Sequence, residues 1–220
     1  MLTTSFEGLP GAGKTTQARL LAERLRADGF RVAYLPDLVT LDNDATGQQI
    51  VKLFASSGDP FLRHHDVLLD TFLAAAVRAH IVATHIQPAD TSHDVLIEDR
   101  GAHTMYSYSL ASLMRHHDMP IDDAVAWLRS FSALTGPEAD LALWLRPPVP
   151  VAVDRWSRRD NLTPTGEQRA FLGHVDSAYN ELTRHDPTMI RIDVDRQDPG
   201  ELHKLVYSQL SSRLPTPSLA

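Results

Sequence analysis

The sequence predicts a three-layer α/β fold, a five-stranded parallel sheet flanked by helices. Three observations predict it. Apolar runs of strand length alternate with longer stretches of helical period, the pattern of a parallel sheet covered on both sides. The first run leads straight into Gly8-Leu9-Pro10-Gly11-Ala12-Gly13-Lys14-Thr15 and then a helical repeat, the strand–loop–helix context in which such an octet cradles phosphates. Finally, 220 residues with 43% apolar content suffice for one large core in one domain.

The elements follow in order. Residues 3–6 form a strand, and Ala18, Leu21, Ala22 and Leu25 mark one face of the helix after the loop. Residues 31–35 form a second strand and 45–55 a helix. Residues 62–86 make a long helix that ends before Pro88. A short apolar strand, 95–97, runs into Glu98-Asp99-Arg100; helices over 103–115 and 121–134 follow, closed by Gly136-Pro137. Residues 141–145 form a fourth strand, then come helices over 149–159 and 166–183 and a fifth strand over 189–194. Pro199 opens a last helix with Leu202, Leu205, Val206 and Leu210 on one face. The tail, 215–220, is expected to fray. No repeat or linker marks a second domain.

The octet carries the most direct chemistry. Gly8, Gly11 and Gly13 leave room for backbone N–H groups, together with those of Ala12 and Thr16, to wrap phosphates at a helix N-terminus. Lys14 is placed to reach the outer phosphates of a nucleoside triphosphate and the Thr15 hydroxyl to sit on Mg²⁺. The arginines add to this. Only three of 21 cationic residues are lysines, whereas Arg146, Arg155, Arg158, Arg159 and Arg169 crowd around 161–166. A mobile arginine-bearing lid neutralises charge during phosphoryl transfer and excludes water. The same residues also fit a solvated helix face.

Composition excludes other classes. A net charge of −7 argues against a general nucleic-acid binder. Cysteine is absent, so neither a disulfide framework nor a thiolate metal site is expected. No address signal precedes the first strand, and no apolar run reads as long enough to span a bilayer. A cytoplasmic protein with no membrane partner is the expectation.

The wider pattern resembles the thymidylate kinases of the nucleoside monophosphate kinase group. The opening Phe6-Glu7 through Gln17 resembles theirs, as do Arg78, Ala79, Ile86, Pro88 and Ala89 in the long helix. Asp99-Arg100 resembles the family's Asp-Arg motif, with Tyr108 nine residues beyond the aspartate. Residues 139–146 and 154–159 resemble the strand before the lid and the lid entry. The resemblance implies a three-layer P-loop kinase fold over 1–214, with an Arg-bearing lid at about 155–168, ATP and Mg²⁺ as cofactors, and a homodimer packed through long helices. It implies that Lys14 and Thr15 hold ATP and Mg²⁺ and that Asp99 orients the metal shell or the transferring group. Arg100 binds the acceptor or transferring phosphate, Arg78 faces the acceptor, and Tyr108 packs on its sugar or base. Ala74 and Thr104 fall on the acceptor side, and Arg155 and Arg159 are the lid cations. Arg78 equally fits a salt bridge on a helix face, and Asp99 and Arg100 could pair with each other.

The departures concentrate on the acceptor. Pro10 stands where the family carries an acidic loop residue, Leu35-Pro36-Asp37 where it carries Arg-Glu-Pro, and Ala74 where a phenylalanine stacks on thymine. Phe72 lies about 200° away round a helix. Gly101 and Ser109 replace a family aromatic and glutamine. The expected activity is transfer of the γ-phosphoryl of Mg·ATP to a nucleoside monophosphate, with a modified or non-thymidine nucleotide among the candidate acceptors. Two alternatives stand beside it: a hydroxyl kinase with Asp37 as general base, and a nucleotide-binding switch. Asp37 could also be a turn residue. The paired histidines, His64-His65 and His116-His117, point about 100° apart on a helix, so the Mg²⁺ of ATP is the one metal expected. Trp127, Trp144 and Trp156 are expected in the core. Leu69, Phe72, Leu73 and Ala76 form a stripe that suits a dimer or a core face.

Overall fold

The computed structural model describes residues 1–37, 44–64, 66–116, 119–194 and 198–216. His65, His117 and the tail beyond residue 216 therefore lie outside the described residues. The strands are β1 (Leu2–Glu7), β2 (Val32–Leu35), β3 (Val95–Asp99), β4 (Leu141–Arg146) and β5 (Met189–Asp193). They pair in parallel in the order β2-β3-β1-β4-β5. Every connection is a crossover, so helices cover both faces.

Side-chain alternation explains the two apolar layers. On β4, Leu141, Leu143 and Leu145 join the layer under α1 (Lys14–Ala27) and α9 (Pro199–Ser211). Ala142 and Trp144 point the other way, into the layer formed by α5 (Ala102–His116), α6 (Ile121–Ser132), α7 (Val149–Asp160) and α8 (Gly166–His185). Both faces of the strand are buried, hence its near-continuous apolar run. Trp144 and Trp156 belong to this core and Trp127 packs against it.

The long helix differs from the sequence expectation at both ends. α3 (Val67–Ile81) starts five residues later than expected, because Asp66 caps it by accepting from the Leu69 N–H at 3.0 Å. At the other end the helix passes through Pro88. A wide π-turn, Val82–Ile86, precedes the short α4 (Gln87–Asp90), whose first turn holds Pro88. Proline lacks the N–H that a regular turn needs and its ring presses on the carbonyl four residues back; the wider turn accommodates both. The run Val67–Asp90 is thus long and apolar enough to cross a membrane by length and composition, contrary to expectation. Within the protein it packs against α2 (Ala45–Phe54) and α5.

The π-turn has a local consequence. Residues five apart on an α-helix point about 140° from one another, yet His80 and His85 both reach Asp44 Oδ2, at 2.6 and 3.3 Å. Asp44 also accepts from the Gly47 N–H at 2.8 Å and so caps α2. α2 is thereby pinned beside α3.

Candidate active site

The carboxyl ends of β1, β3 and β2 converge where ligands sit in open α/β sheets. The phosphate-binding loop fills the gap between β1 and α1. Lys14 Nζ donates to the Gly8 and Leu9 carbonyls, both at 2.9 Å. Burial, and then the charge of Arg100, push its pKa down to about 7. The Thr15 and Thr16 side chains are exposed at the start of α1. Gly11 has φ +80, and a Cβ there would overlap the Ala152 carbonyl oxygen and approach the Trp156 nitrogen at 2.9 Å. The first turns of α7 therefore rest directly on the loop, and Arg155 starts its side chain beside Gly11.

Asp99 ends β3 beside Phe6 of β1. Arg100 follows with φ +83, a left-handed conformation that costs a non-glycine residue about 1–2 kcal/mol. Its N–H donates to the Phe6 carbonyl at 3.2 Å, and its Nε donates to Asp37 Oδ2 at 2.6 Å. Burial works against the Arg100 charge, but Asp37, Tyr108 and Tyr179 outweigh it and hold the guanidinium above its ordinary range. Asp99 and Arg100 thus do not pair with each other: the ion partner of Arg100 is Asp37.

A cavity of about 300 Å³ opens beside Arg100. Pro10, Asp37, Ala74, Arg78, Thr104 and Tyr108 all line it, so the chain brings these expected acceptor residues together. Its remaining walls are mainly apolar, with Val51 and Phe54 from α2, and Phe61 and Ile81. Phe72 points away, edge-on to Phe131 at 5.2 Å. Arg78 lines the cavity, and its guanidinium is buried and ion-paired with Glu98. Gly101 has no room for the family's aromatic, because a Cβ there would lie 2.6 Å from Ser5 Cβ and 2.8 Å from Glu7 Oε1.

The sequence reading missed the buried polar frame behind the cavity. Glu7 accepts from the Gly101 N–H at 3.0 Å and from Thr104 Oγ1 at 2.6 Å, tying the phosphate loop to the Asp-Arg turn. His103 lies behind it, bonded to Asp186 at 2.8 Å. Burial disfavours the His103 charge, but Asp186 and Glu7 prevail and raise its pKa. His103, Glu138 and Asp186 bring one ligand atom each within 4.8 Å. Asp186 is already shared by His103 and by Arg129 at 3.3 Å, so this cluster reads as an internally neutralised network. A carboxylate directly before the loop glycines was the available signal for Glu7.

The lid arginines divide. Arg146 is bound to Asp176 at 2.8 Å and Arg158 to Asp154 at 3.1 Å. Arg159 pairs with its neighbour Asp160 at 2.6 Å and lies close enough to Arg100 and Asp37 to feel their charges. Arg155 is exposed and has no ion-pair partner among the described residues.

A phosphate loop with its lysine, an Asp-Arg turn beside it, a neighbouring cavity and the arginine-bearing α7 resting on the loop together define a P-loop nucleotide kinase. The thymidylate kinase family model matches residues 6–206. Similar proteins include thymidylate kinases of Synechococcus sp. (strain JA-2-3B'a(2-13)), 30% identical over 213 residues (96% of this chain, 95% of the relative), and of Bradyrhizobium diazoefficiens, 30% identical over 224 residues (97% and 91%). That of Gluconobacter oxydans is 28% identical over 212 residues (95% and 92%). The chain belongs to the thymidylate kinase family: it is an ATP-dependent phosphotransferase whose acceptor is a nucleoside monophosphate.

Proposed function

We propose that the acceptor is a nucleoside monophosphate other than ordinary thymidylate, with a base or sugar that fills the space beside Ala74. The observation that carries this is the apolar cavity of about 300 Å³ in which Ala74 occupies the position of the family's stacking phenylalanine. The base lies among Phe54, Phe61 and Val51, Tyr108 and Thr104 meet the sugar or base, and the phosphate reaches Arg100. The backbone of Gly8, Gly11, Ala12, Gly13 and Thr16 cradles the ATP phosphates, with Lys14 at the outer ones. The donor set suits Mg²⁺, a hard cation that prefers oxygen ligands and phosphate: the Thr15 hydroxyl is exposed at the loop's end and Asp99 is near enough to act on Lys14. Once bound, Mg²⁺ supplies charge neutralisation at the phosphates. Arg155 and Arg159 close over the transferring group as part of a lid at about 155–168, excluding water. The unit acts as one domain over 1–214, in the cytoplasm where nucleotide pools are drawn on, and fractionation of cells would place it there.

One observation favours a second reading. Asp37 sits at the cavity rim against Arg100, where it could accept a proton from a hydroxyl acceptor. ADP release with Mg·ATP, measured against natural and modified monophosphates and free nucleosides, decides between them. Turnover on a monophosphate is expected, with Asp37→Asn changing it modestly. Turnover confined to nucleosides, abolished by Asp37→Asn, would make Asp37 the base.

The kinase is expected to work as a homodimer. Leu68, Leu69 and Phe72 of α3 are exposed, and Phe72 meets Phe131, on which Trp127 stacks at 5.6 Å. A contiguous apolar face of this kind marks an interface. Phe72→Glu should yield a folded monomer by light scattering. A wild-type chain that is already monomeric at micromolar concentration would overturn the expectation.

A further inference from the structure

Glu7 stands directly before the loop glycines, at the end of β1, and is fully buried. Successive strand residues point to opposite faces. Phe6 enters the layer under α1, so Ser5 and Glu7 face the other way, toward α5. At this point the two halves of the site separate. Phe6 is in register with Asp99, and the Arg100 N–H on the Phe6 carbonyl carries the pairing one step further. Beyond it one chain becomes the phosphate loop and the other the Asp-Arg turn.

Glu7 bridges the gap with both oxygens. Oε1 accepts from the Gly101 N–H at 3.0 Å and Oε2 from the Thr104 hydroxyl at 2.6 Å. Gly101 immediately precedes α5, and Thr104 is in its first turn. In a capping box, a carboxylate at the third helical position reaches back to the N–H of the capping residue. Here that position holds Thr104, and β1 supplies the carboxylate from outside the helix. Its charge also suits the helix N-terminus. Behind it, His103 Nδ1 lies 4.0 Å from Glu7 Oε1, while the other ring nitrogen is bonded to Asp186. Stability alone does not call for such a group, because an apolar side chain avoids the desolvation cost of a buried carboxylate. What Glu7 fixes is a geometry. The phosphate loop lies on one side of it. On the other lie Arg100, held at φ +83, and Thr104 and Tyr108, which line the acceptor cavity.

We propose that Glu7 is a positioning residue for phosphoryl transfer. It caps α5 from the strand that carries the phosphate loop, and so sets the separation and angle between the triphosphate and the acceptor wall. Transfer needs the attacking and leaving oxygens roughly in line, and a displacement of about 1 Å can cost roughly 10²-fold in rate. Glu7 acts through Arg100, Gly101 and Thr104 rather than by contact with a substrate. The inference rests on phosphotransfer itself and not on the identity of the acceptor.

The test is a single-turnover measurement, with enzyme in excess over Mg·ATP and the best acceptor from the panel at saturation. The rate then reports chemistry in folded, nucleotide-loaded enzyme, and a loss of active fraction does not change it. Glu7→Gln keeps the side chain's size and one accepting oxygen, whereas Glu7→Leu removes both. Transfer is expected to slow about 10-fold in Glu7→Gln and about 100-fold in Glu7→Leu. The Kd for ATP and the KM for the acceptor should stay within about threefold, well under the loss of one good contact. The yield of phosphorylated acceptor per ADP should also fall, because a misaligned triphosphate is left to water. If Glu7→Leu does not fold, Thr104→Val cuts one of the two bonds from the other side with little change of shape, and should slow transfer in the same direction. Transfer within about twofold of wild type in the folded Glu7 variants overturns the proposal. So does a loss confined to ATP affinity with transfer and yield intact, which local damage to the loop would produce. A wild-type enzyme active only on nucleosides would instead overturn the monophosphate assignment, and the same transfer rates would be compared on the nucleoside.

Discussion

Lys14→Ala is expected to lower turnover by about 10³–10⁵-fold, the range contributed by charge-neutralising groups in phosphoryl transfer. The lysine is poised at some cost to its own charge. In the loop it is buried, bonded to two backbone carbonyls at 2.9 Å, and faces no carboxylate at hydrogen-bond distance among the described residues. Burial and the neighbouring Arg100 bring its pKa to about 7 from 10.5. Between those values the unfolded chain binds the proton more tightly than the folded one, so this group's contribution to stability rises with pH across the window. A bound triphosphate reverses the balance by supplying negative charge. Binding of ATP at pH 8, about one unit above that folded-state pKa, is therefore expected to take up close to one proton. Calorimetry in buffers of different ionisation enthalpy reads this directly, and Lys14→Ala should abolish the uptake. A near-normal rate in Lys14→Ala would discard the role given to the loop.

Gly11→Ala should cost both stability and nucleotide binding. The position has φ +80, and a methyl group would collide with the Ala152 carbonyl and crowd the Trp156 nitrogen. The left-handed backbone costs about 1–2 kcal/mol and overpacking against main chain about 1–3 kcal/mol. For a chain of this size the sum is a fall in Tm of roughly 5–15 °C. Because α7 carries Arg155 and Arg159, pushing it off the loop also displaces the lid, and ATP affinity falls with Tm. Gly13→Ala is a useful contrast: its φ is +96 but a Cβ there meets nothing within 4 Å, so backbone strain acts without collision. Equal effects of the two substitutions would show that α7 does not rest on the loop as described.

Much of the fold is legible along the chain for identifiable reasons. The run at β4, Leu141 to Leu145, is apolar on both faces because helices cover both, and the strand is read without difficulty. Pro88 is the instructive error. A proline ordinarily ends a helix, and nothing local announces that a π-turn will carry the helix past it. Asp66 as the start of α3 was legible in principle, since an aspartate before an apolar helical run is a cap, but the apolar residues upstream masked it.

The site divides along the same line. The phosphate loop and its lysine, the parallel sheet, the Asp-Arg motif and the alanine at position 74 are all legible along the chain. Each of these depends on residues close together in the chain or on the regular period of one element. Packing between elements is what joins Arg100 to Asp37, 63 positions away, holds Arg78 against Glu98, and lays α7 on Gly11, where a side chain would collide. These are contacts between elements joined by long crossovers. Their partners are set by where the strands end in the sheet and how the helices pack across it, and no local spacing encodes that.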